Sequence, residues 1–181
     1  MSWAQKRFDR EFEGYAPTTL VDSEGRAKTR YVYIKEYYAP KLTPGGHLAR
    51  KIINALLFLA GAALIFWADL STVRQARNIP LVIVQALGLM AIVVGACYII
   101  AYASYSDKME VKQHRNAHER MPIACAAGAL FGIVSMIIVL ISMFSIDGAF
   151  SGGGVLIPIQ YLIASICFFI IFFLEKRTGY D

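Results

Sequence analysis

Two histidines in a polar stretch have the spacing that comes nearest to a metal site in this sequence. His114 and His118 lie four residues apart, with Glu110 and Glu119 beside them. On a helix, residues at this spacing share a face, so two imidazoles and a carboxylate can bind one metal ion. The H-x-x-x-H pattern alone is weak, and the surrounding run is strongly polar. We therefore favour a solvated loop or helix extension over a metal site, and we predict no cofactor.

Acidic side chains stand at the ends of the long apolar stretches rather than inside them. These are Asp69, Asp147 and Glu175. A proton-driven transporter usually carries an ionisable group at mid-membrane, because such a group is costly there unless it functions. The pattern argues against a small proton-coupled exporter. Asp69 and Asp147 are expected to be exposed on the outer face beside the loop residues Arg74 and Arg77, in pairs worth roughly 0–1 kcal/mol. An ion or headgroup site is the alternative.

Neutral polar side chains inside the apolar stretches are the remaining candidates for solute contact. Such groups more often form hydrogen bonds between helices than bind a solute. If the protein transports a small solute as an oligomer, Gln85, Gln160 and Tyr161 are expected to line the path. No nucleophile–base pair, Walker loop or dinucleotide glycine pattern occurs, so no catalytic residue is predicted.

Cysteine usage offers no disulfide or metal chemistry. Cys97, Cys125 and Cys167 each stand alone in an apolar stretch, whereas a disulfide framework or zinc ribbon needs pairs at short spacing. We interpret them as small packing residues.

Small residues recur on one face of the third apolar stretch. Ala124, Gly128 and Gly132 are four residues apart, and this spacing lets two helix backbones approach closely. Gly88 and Gly95 give the second stretch a weaker version of the same surface. The packing partner is another span of the same chain or, alternatively, a second copy.

The elements that must position these residues are membrane helices. The chain has 181 residues, of which 57% are hydrophobic and 17% charged, with a mean hydropathy of +0.50; ordinary globular proteins have about 25% charged residues. About 20 apolar residues cross the hydrocarbon layer. We predict an all-α integral membrane four-helix bundle, with an up-down-up-down order that follows from short connections. The spans are expected at about 48–70, 79–105, 121–146 and 155–174.

The basic residues predict the orientation of this bundle. Sixteen of the 18 Lys and Arg residues lie in the N-terminal region, the second connecting loop or the C-terminus, and two lie in the first loop. By the positive-inside rule, both termini face the cytoplasm. The net charge of +5 then reflects topology and attraction to anionic lipid rather than a nucleic-acid partner. We predict a multi-pass protein of a bacterial-type plasma (inner) membrane.

The chain divides into a cytoplasmic module at residues 1–46 and a membrane bundle at residues 47–181. Residues 2–15 fit a short amphipathic helix. Turn chemistry at Asp22–Gly25, between runs rich in Thr, Val and Tyr, predicts a β-hairpin and gives the module an α+β character. With this turn, Pro17 pairs with Arg30.

The second strand of this hairpin is predicted to continue through an aromatic run to about Tyr38, although a helical count also fits the run. Its Tyr31, Tyr33, Lys35 and Tyr37 share one face, and an unpaired edge there can accept a partner strand. A strand that packs on its own module or rests on the membrane surface is the alternative. Residues 40–46, with two prolines and a Gly-Gly pair, are expected to form a hinge.

These patterns favour a non-enzymatic function. We expect an interaction or accessory subunit, embedded in lipid, that docks a membrane-protein partner or a second copy. Docking would use the cytoplasmic module or the glycine face of the third span. The alternative is an oligomeric small-solute transporter or channel.

Overall fold

Four long helices and a two-stranded hairpin make up the described part of the chain. The structure is a computed structural model and describes residues 13–21, 27–72, 79–146 and 155–180. Several predictions from the sequence fall outside these ranges: most of the N-terminal helix, the hairpin turn, and the loop residues Arg74, Arg77 and Asp147.

Within the described ranges, five helices follow one another. They are α1 (Pro44–Thr72), α2 (Ile79–Ser104), the short α3 (Val111–Arg115), α4 (Met121–Ile146) and α5 (Leu156–Arg177). By length and composition α1, α2, α4 and α5 can each cross a membrane, with mean hydropathies from 1.9 to 2.6. The prediction of four apolar helices beside a small hairpin is confirmed, and the helix limits agree with the predicted spans to within a few residues.

The interior of the bundle is apolar and aromatic. Helix α4 packs against α5 and α2, and α5 packs against α1. Phe58 of α1 meets Phe168 of α5 with ring centroids 5.5 Å apart, and both side chains are buried together with Ile65 and Ile171. The four helices thus share one core.

The outer surface of the helices is apolar as well. Large side chains such as Leu59, Met90, Leu130 and Phe173 are more than half exposed. In water such a surface would be unfavourable, whereas hydrocarbon leaves apolar side chains stable and requires every backbone group to be paired within helices. The four helices therefore suit a lipid bilayer.

Helix α1 begins where the sequence predicted a hinge. Thr43 caps it: its Oγ1 accepts a hydrogen bond from the amide of Gly46 at 3.2 Å, and its carbonyl accepts from the amide of His47 at 2.9 Å. Pro44 occupies the first helical position, where a missing N–H leaves no bond unmade. The proline and the glycine pair therefore form the first turn of α1.

The polar stretch before α4 is helical. Helix α3 continues through a π-helical turn, Asn116–Arg120, directly into α4. Of the two interpretations for this stretch, the helix extension is the one the structure shows. His114 and His118 lie on it and are half-buried.

The hairpin differs from its prediction in register. Strands β1 (Tyr15–Val21) and β2 (Ala27–Tyr33) are antiparallel, and Pro17 faces Tyr31. The predicted pairing of Pro17 with Arg30 is wrong by one residue, because five residues connect the strands instead of four. Tyr15, predicted to end a helix, begins a strand after Gly14, whose φ of 90° favours glycine.

The second strand also ends earlier than predicted, at Tyr33 rather than Tyr38. Tyr38 instead pairs with Met109, which precedes α3, and each amide donates to the other's carbonyl at 2.8 Å. The Lys41 amide donates to the carbonyl of Gly179, also at 2.8 Å. The aromatic run is thus tied to two parts of the bundle, where its backbone groups are satisfied.

Candidate functional site

A buried carboxylate forms the centre of a polar cluster where α1, α2 and the end of α5 meet. Glu175 is completely buried, and Asn54 Nδ2 donates to its Oε1 at 2.6 Å. The Tyr180 hydroxyl donates to Oε2 at 3.3 Å. Tyr102 and Arg50 also interact with this carboxylate, without hydrogen-bond geometry. We call these five residues the terminal cluster, and the end of the bundle that holds them the terminal end.

Two histidines border the terminal cluster. His47 is 1% exposed, and its Nδ1 lies 2.8 Å from Oδ1 of Asp107, whose side chain is 66% exposed. Its ring meets that of Tyr102 at 6.0 Å. His118 contacts the Tyr180 ring at 5.3 Å. A carboxyl, imidazoles and a guanidinium are therefore gathered at one end of an apolar bundle, a combination that can bind and transfer protons.

The opposite, distal end carries a smaller polar chain. The Tyr161 hydroxyl donates to Oδ1 of Asp69 at 2.5 Å, and Gln85 Nε2 donates to that hydroxyl at 2.9 Å. Asp69 is 8% exposed, so the expectation of an exposed helix-end residue is wrong: the side chain turns into the interface of α1, α2 and α5. We call these three residues the distal cluster.

The structure thus brings together two of the three residues predicted to line a solute path. Gln85 and Tyr161 are in direct contact, whereas Gln160 forms no hydrogen bond with them. The Oε1 atom of Gln160 is buried and has no partner among the described residues.

The glycines predicted for close packing lie inside the bundle. A Cβ at Gly132 would stand 2.5 Å from Ser165 Oγ of α5, and one at Gly95 would stand 2.8 Å from Phe58 of α1. Gly128 faces Phe168 of α5, and Gly88 faces Phe131 of α4. Ala124 is buried, and its Cβ lies 4.0 Å from the point where a Cβ at Gly95 would stand. These small residues accommodate neighbouring helices of the same chain.

The two histidines with metal-like spacing take part in aromatic stacking. The His114 ring stacks on the Tyr38 ring, with centroids 4.4 Å apart. It also stacks on the His118 ring, with centroids 5.5 Å apart. Within the described residues no group of three His, Cys, Asp or Glu side chains is arranged to hold a metal ion. The pair instead packs the Tyr38 segment and the C-terminal tail against the helix.

The hairpin is anchored to the beginning of α3. The Tyr15 hydroxyl donates to the Glu110 carboxylate, and the Val111 amide donates to the Tyr33 hydroxyl at 3.4 Å. The Tyr15 and Tyr33 rings contact each other at 5.2 Å. Burial, together with the Glu110 carboxylate, raises the pKa of Tyr15 to about 12.

The residues predicted as a partner edge divide between packed and exposed positions. Tyr33 is half-buried, and Lys35 pairs with Glu13 at 3.0 Å; this contact lowers the pKa of Glu13. Tyr31 and Tyr37 are about half exposed. A surface cleft of about 350 Å³ opens beside them, lined by Lys35, Glu36, Tyr37, Tyr38 and Val111.

Sequence reasoning missed the terminal cluster because its members are far apart in the chain. One local signal was present: His47, Arg50 and Asn54 are spaced by three and four residues, which places three polar side chains on one face of an apolar helix. Nothing in the sequence paired that face with Glu175. The tail residue Tyr180 was also unexpected; burial and the Glu175 charge raise its pKa well above the usual range.

The comparisons with known proteins agree with a multi-pass membrane protein. No curated protein and no solved structure matches the chain. A family model described as TMEM128 protein matches residues 47–174, a range that starts in the first turn of α1, contains α2 and α4, and ends within α5 one residue before Glu175. Since the match covers well over half of the sequence, the chain belongs to the TMEM128 protein family.

Proposed function

We propose that this protein is a non-enzymatic interaction or accessory subunit of a membrane assembly, with the segment that follows its N-terminal hairpin as the docking element. The observation that carries the proposal is the cleft of Lys35, Glu36, Tyr37, Tyr38 and Val111. Exposed tyrosine is enriched at protein-recognition surfaces. Both termini lie in the cytoplasm in this proposal, in accordance with the positive-inside rule.

The anchoring of the segment supports docking. Backbone pairing of Tyr38 with Met109 and of Lys41 with Gly179 holds the cleft against the bundle. A recognition surface that is already ordered loses little conformational entropy when a partner binds. A partner held there would be positioned relative to the membrane helices.

Co-purification from mild detergent tests this proposal. The full chain carrying Lys35→Glu and Tyr37→Ala should recover at least about tenfold less of any specific protein partner, since one truncated interface aromatic commonly costs more than 1.4 kcal/mol. The matched control is Ile34→Ala: this side chain is 70% exposed and lies outside the cleft. Recovery of the same partners by the double variant and the wild type would refute docking through the cleft.

A second candidate function is transport of a small solute by an oligomer. The contact of Gln85, Tyr161 and Asp69 in the bundle interior favours it, because polar side chains at that depth are typical of solute and ion paths. In proteoliposomes, solute flux that is abolished by Gln160→Leu and reduced by Tyr161→Phe would support this function. Absence of flux across broad solute panels would contradict it.

A further inference from the structure

Buried polar atoms that lack a protein partner are concentrated at the terminal end. Among the described residues, the following atoms there are buried and form no hydrogen bond: His47 Nε2, Arg50 Nη1, Asn54 Oδ1, Tyr102 Oη and His118 Nδ1. Leaving such a group unpaired costs about 1–3 kcal/mol, and their clustering around one carboxylate indicates a bound partner.

The groups around Glu175 come from every element that packs against it. Helix α1 contributes Asn54 and Arg50, α2 contributes Tyr102, and the tail contributes Tyr180. The π-helical turn adds His118, which contacts the Glu175 backbone. Also near are the thiol of Cys125 on α4 and Lys176 on α5 itself. One guanidinium and several amide, hydroxyl and ring groups thus surround one acid.

His47 connects this interior to the protein surface. One ring nitrogen, Nδ1, contacts the exposed carboxylate of Asp107, whereas the other, Nε2, is buried and has no hydrogen-bond partner among the described residues. The Nζ atom of Lys51 lies over the Tyr102 ring, 5.9 Å from its centroid. An imidazole placed in this way can accept a proton at one nitrogen and release another from the other.

We propose that Glu175 is a proton-binding site that exchanges protons with water at the terminal end through Asp107 and His47. A proton passes from Asp107 to His47 Nδ1, and the imidazolium releases its Nε2 proton inward. Bound water between His47, Tyr102 and Arg50 transfers the proton to the Glu175 carboxylate, which becomes a neutral carboxylic acid. The imidazole ends in its other tautomer, and ring reorientation or reverse proton exchange restores it.

Water is the occupant that suits the unpaired atoms. It both donates and accepts hydrogen bonds, and buried water commonly forms about three. A cation is disfavoured because the positively charged guanidinium of Arg50 acts on Glu175 already, and among the described residues no group of three metal-ligating side chains is arranged to hold a metal ion.

Infrared difference spectroscopy on the full chain in lipid nanodiscs tests the proposal. Acidification should produce the carbonyl band of a protonated carboxyl that is lost in Glu175→Gln and kept in Asp69→Asn. Hydrogen–deuterium exchange of that carboxyl should be at least about tenfold slower in His47→Asn. This variant keeps a donor toward Asp107 but lacks the second ring nitrogen that relays the proton.

Asp107→Asn provides a second and gentler variant, since its side chain is largely exposed. It should slow the exchange without shifting the band, and it decides the route if His47→Asn does not fold. No band assignable to Glu175 at any pH at which the protein stays folded would overturn the proton site. Unchanged exchange rates in the folded variants would overturn the route through Asp107 and His47.

Discussion

The two ends of the bundle each surround a buried carboxylate, but they do so with different side chains. Each holds a carboxylate at the contact of α1 with α5, Glu175 at the terminal end and Asp69 at the distal end. At the distal end Tyr161 and Gln85 complete a compact hydrogen-bonded chain. The terminal end adds a guanidinium and imidazoles. Among the described residues it holds five buried polar atoms without a hydrogen-bond partner, whereas the distal end also holds the Oε1 atom of Gln160 in that condition.

This difference distinguishes the distal cluster, whose hydrogen bonds join helices, from the terminal cluster, which is arranged to exchange protons with water. A closed chain of hydrogen bonds stabilises helix association in a membrane modestly, by about 0.6 kcal/mol per bond on average. An incompletely paired cluster around a buried acid is typical of functional positions.

The largest expected loss of stability comes from replacing Asn54, which donates a hydrogen bond directly to the fully buried Glu175. Asn54→Leu should lower the free energy of unfolding by about 3 kcal/mol, because it leaves a buried carboxylate without its shortest hydrogen bond. Gln85→Leu at the distal end should cost less than about 1 kcal/mol, since Tyr161 still donates to Asp69. Denaturant titration in mild micelles measures both. Equal losses of unfolding free energy in the two variants would show that the two ends do not differ in how strongly they depend on the donor.

Breaking the distal chain at its centre should have the next largest effect. Tyr161→Phe removes the hydroxyl that joins Gln85 to Asp69 and should lower the free energy of unfolding by about 2 kcal/mol. Tyr105→Phe is the control: in the described part of the chain its hydroxyl accepts one hydrogen bond, from Asn116 at a half-buried position, so less than about 1 kcal/mol is expected. A loss at Tyr161 no greater than that of the control would show that the distal chain does not stabilise the bundle.

The apolar core between the two clusters should tolerate little added volume. Gly95→Ala places a Cβ 2.8 Å from the Phe58 ring and forces that buried ring to move. We expect it to be about 1 kcal/mol less stable than Gly88→Ala, whose Cβ lies at an ordinary 3.4 Å from Phe131 on the same bundle. Thermal unfolding of the two variants compares them. Equal stabilities would indicate a core that adapts freely.

The smallest effect is expected where the hairpin joins the terminal end. Tyr15 ordinarily titrates near pH 10, and burial beside Glu110 raises its pKa to about 12. The folded contact favours the neutral phenol, so its contribution is complete below about pH 10 and is lost as pH rises toward 12. Hydrogen exchange of β1 amides should therefore accelerate over that range. Tyr15→Phe should abolish the pH dependence; an identical profile in this variant would exclude Tyr15 as its cause.

Much of the fold follows from local patterns in the sequence. Apolar length and the charges that interrupt it predicted four helices and nearly their limits, because a membrane helix satisfies its own backbone groups and needs no distant partner. Turn chemistry predicted the hairpin. The predicted register was wrong by one residue, because the strands pair from Val21 with Ala27 and the length of the connection does not follow from turn chemistry alone.

The candidate sites depended more on tertiary contacts. The spacing of His114 and His118 predicted a shared helix face, but Tyr38 and Tyr180, distant in the chain, turn that face into a stacking surface. Asp69 stood at the end of an apolar stretch, and the sequence could not show that Tyr161 draws it inward. Whether an acid at a helix end is exposed or buried depends on the side chains that pack around it in the folded protein.

The sequence by itself determined that this chain has four apolar helices and where the small residues, acids and basic residues stand along them. These properties depend on segments of about 20 residues, each of which carries its own hydropathy. Only the tertiary structure decided that Asn54 meets Glu175, that Asp69 meets Tyr161, and that Tyr38 is tied to Met109. Such pairs depend on how helices pack, because chain separations of 71 to 121 residues leave no trace in local spacing.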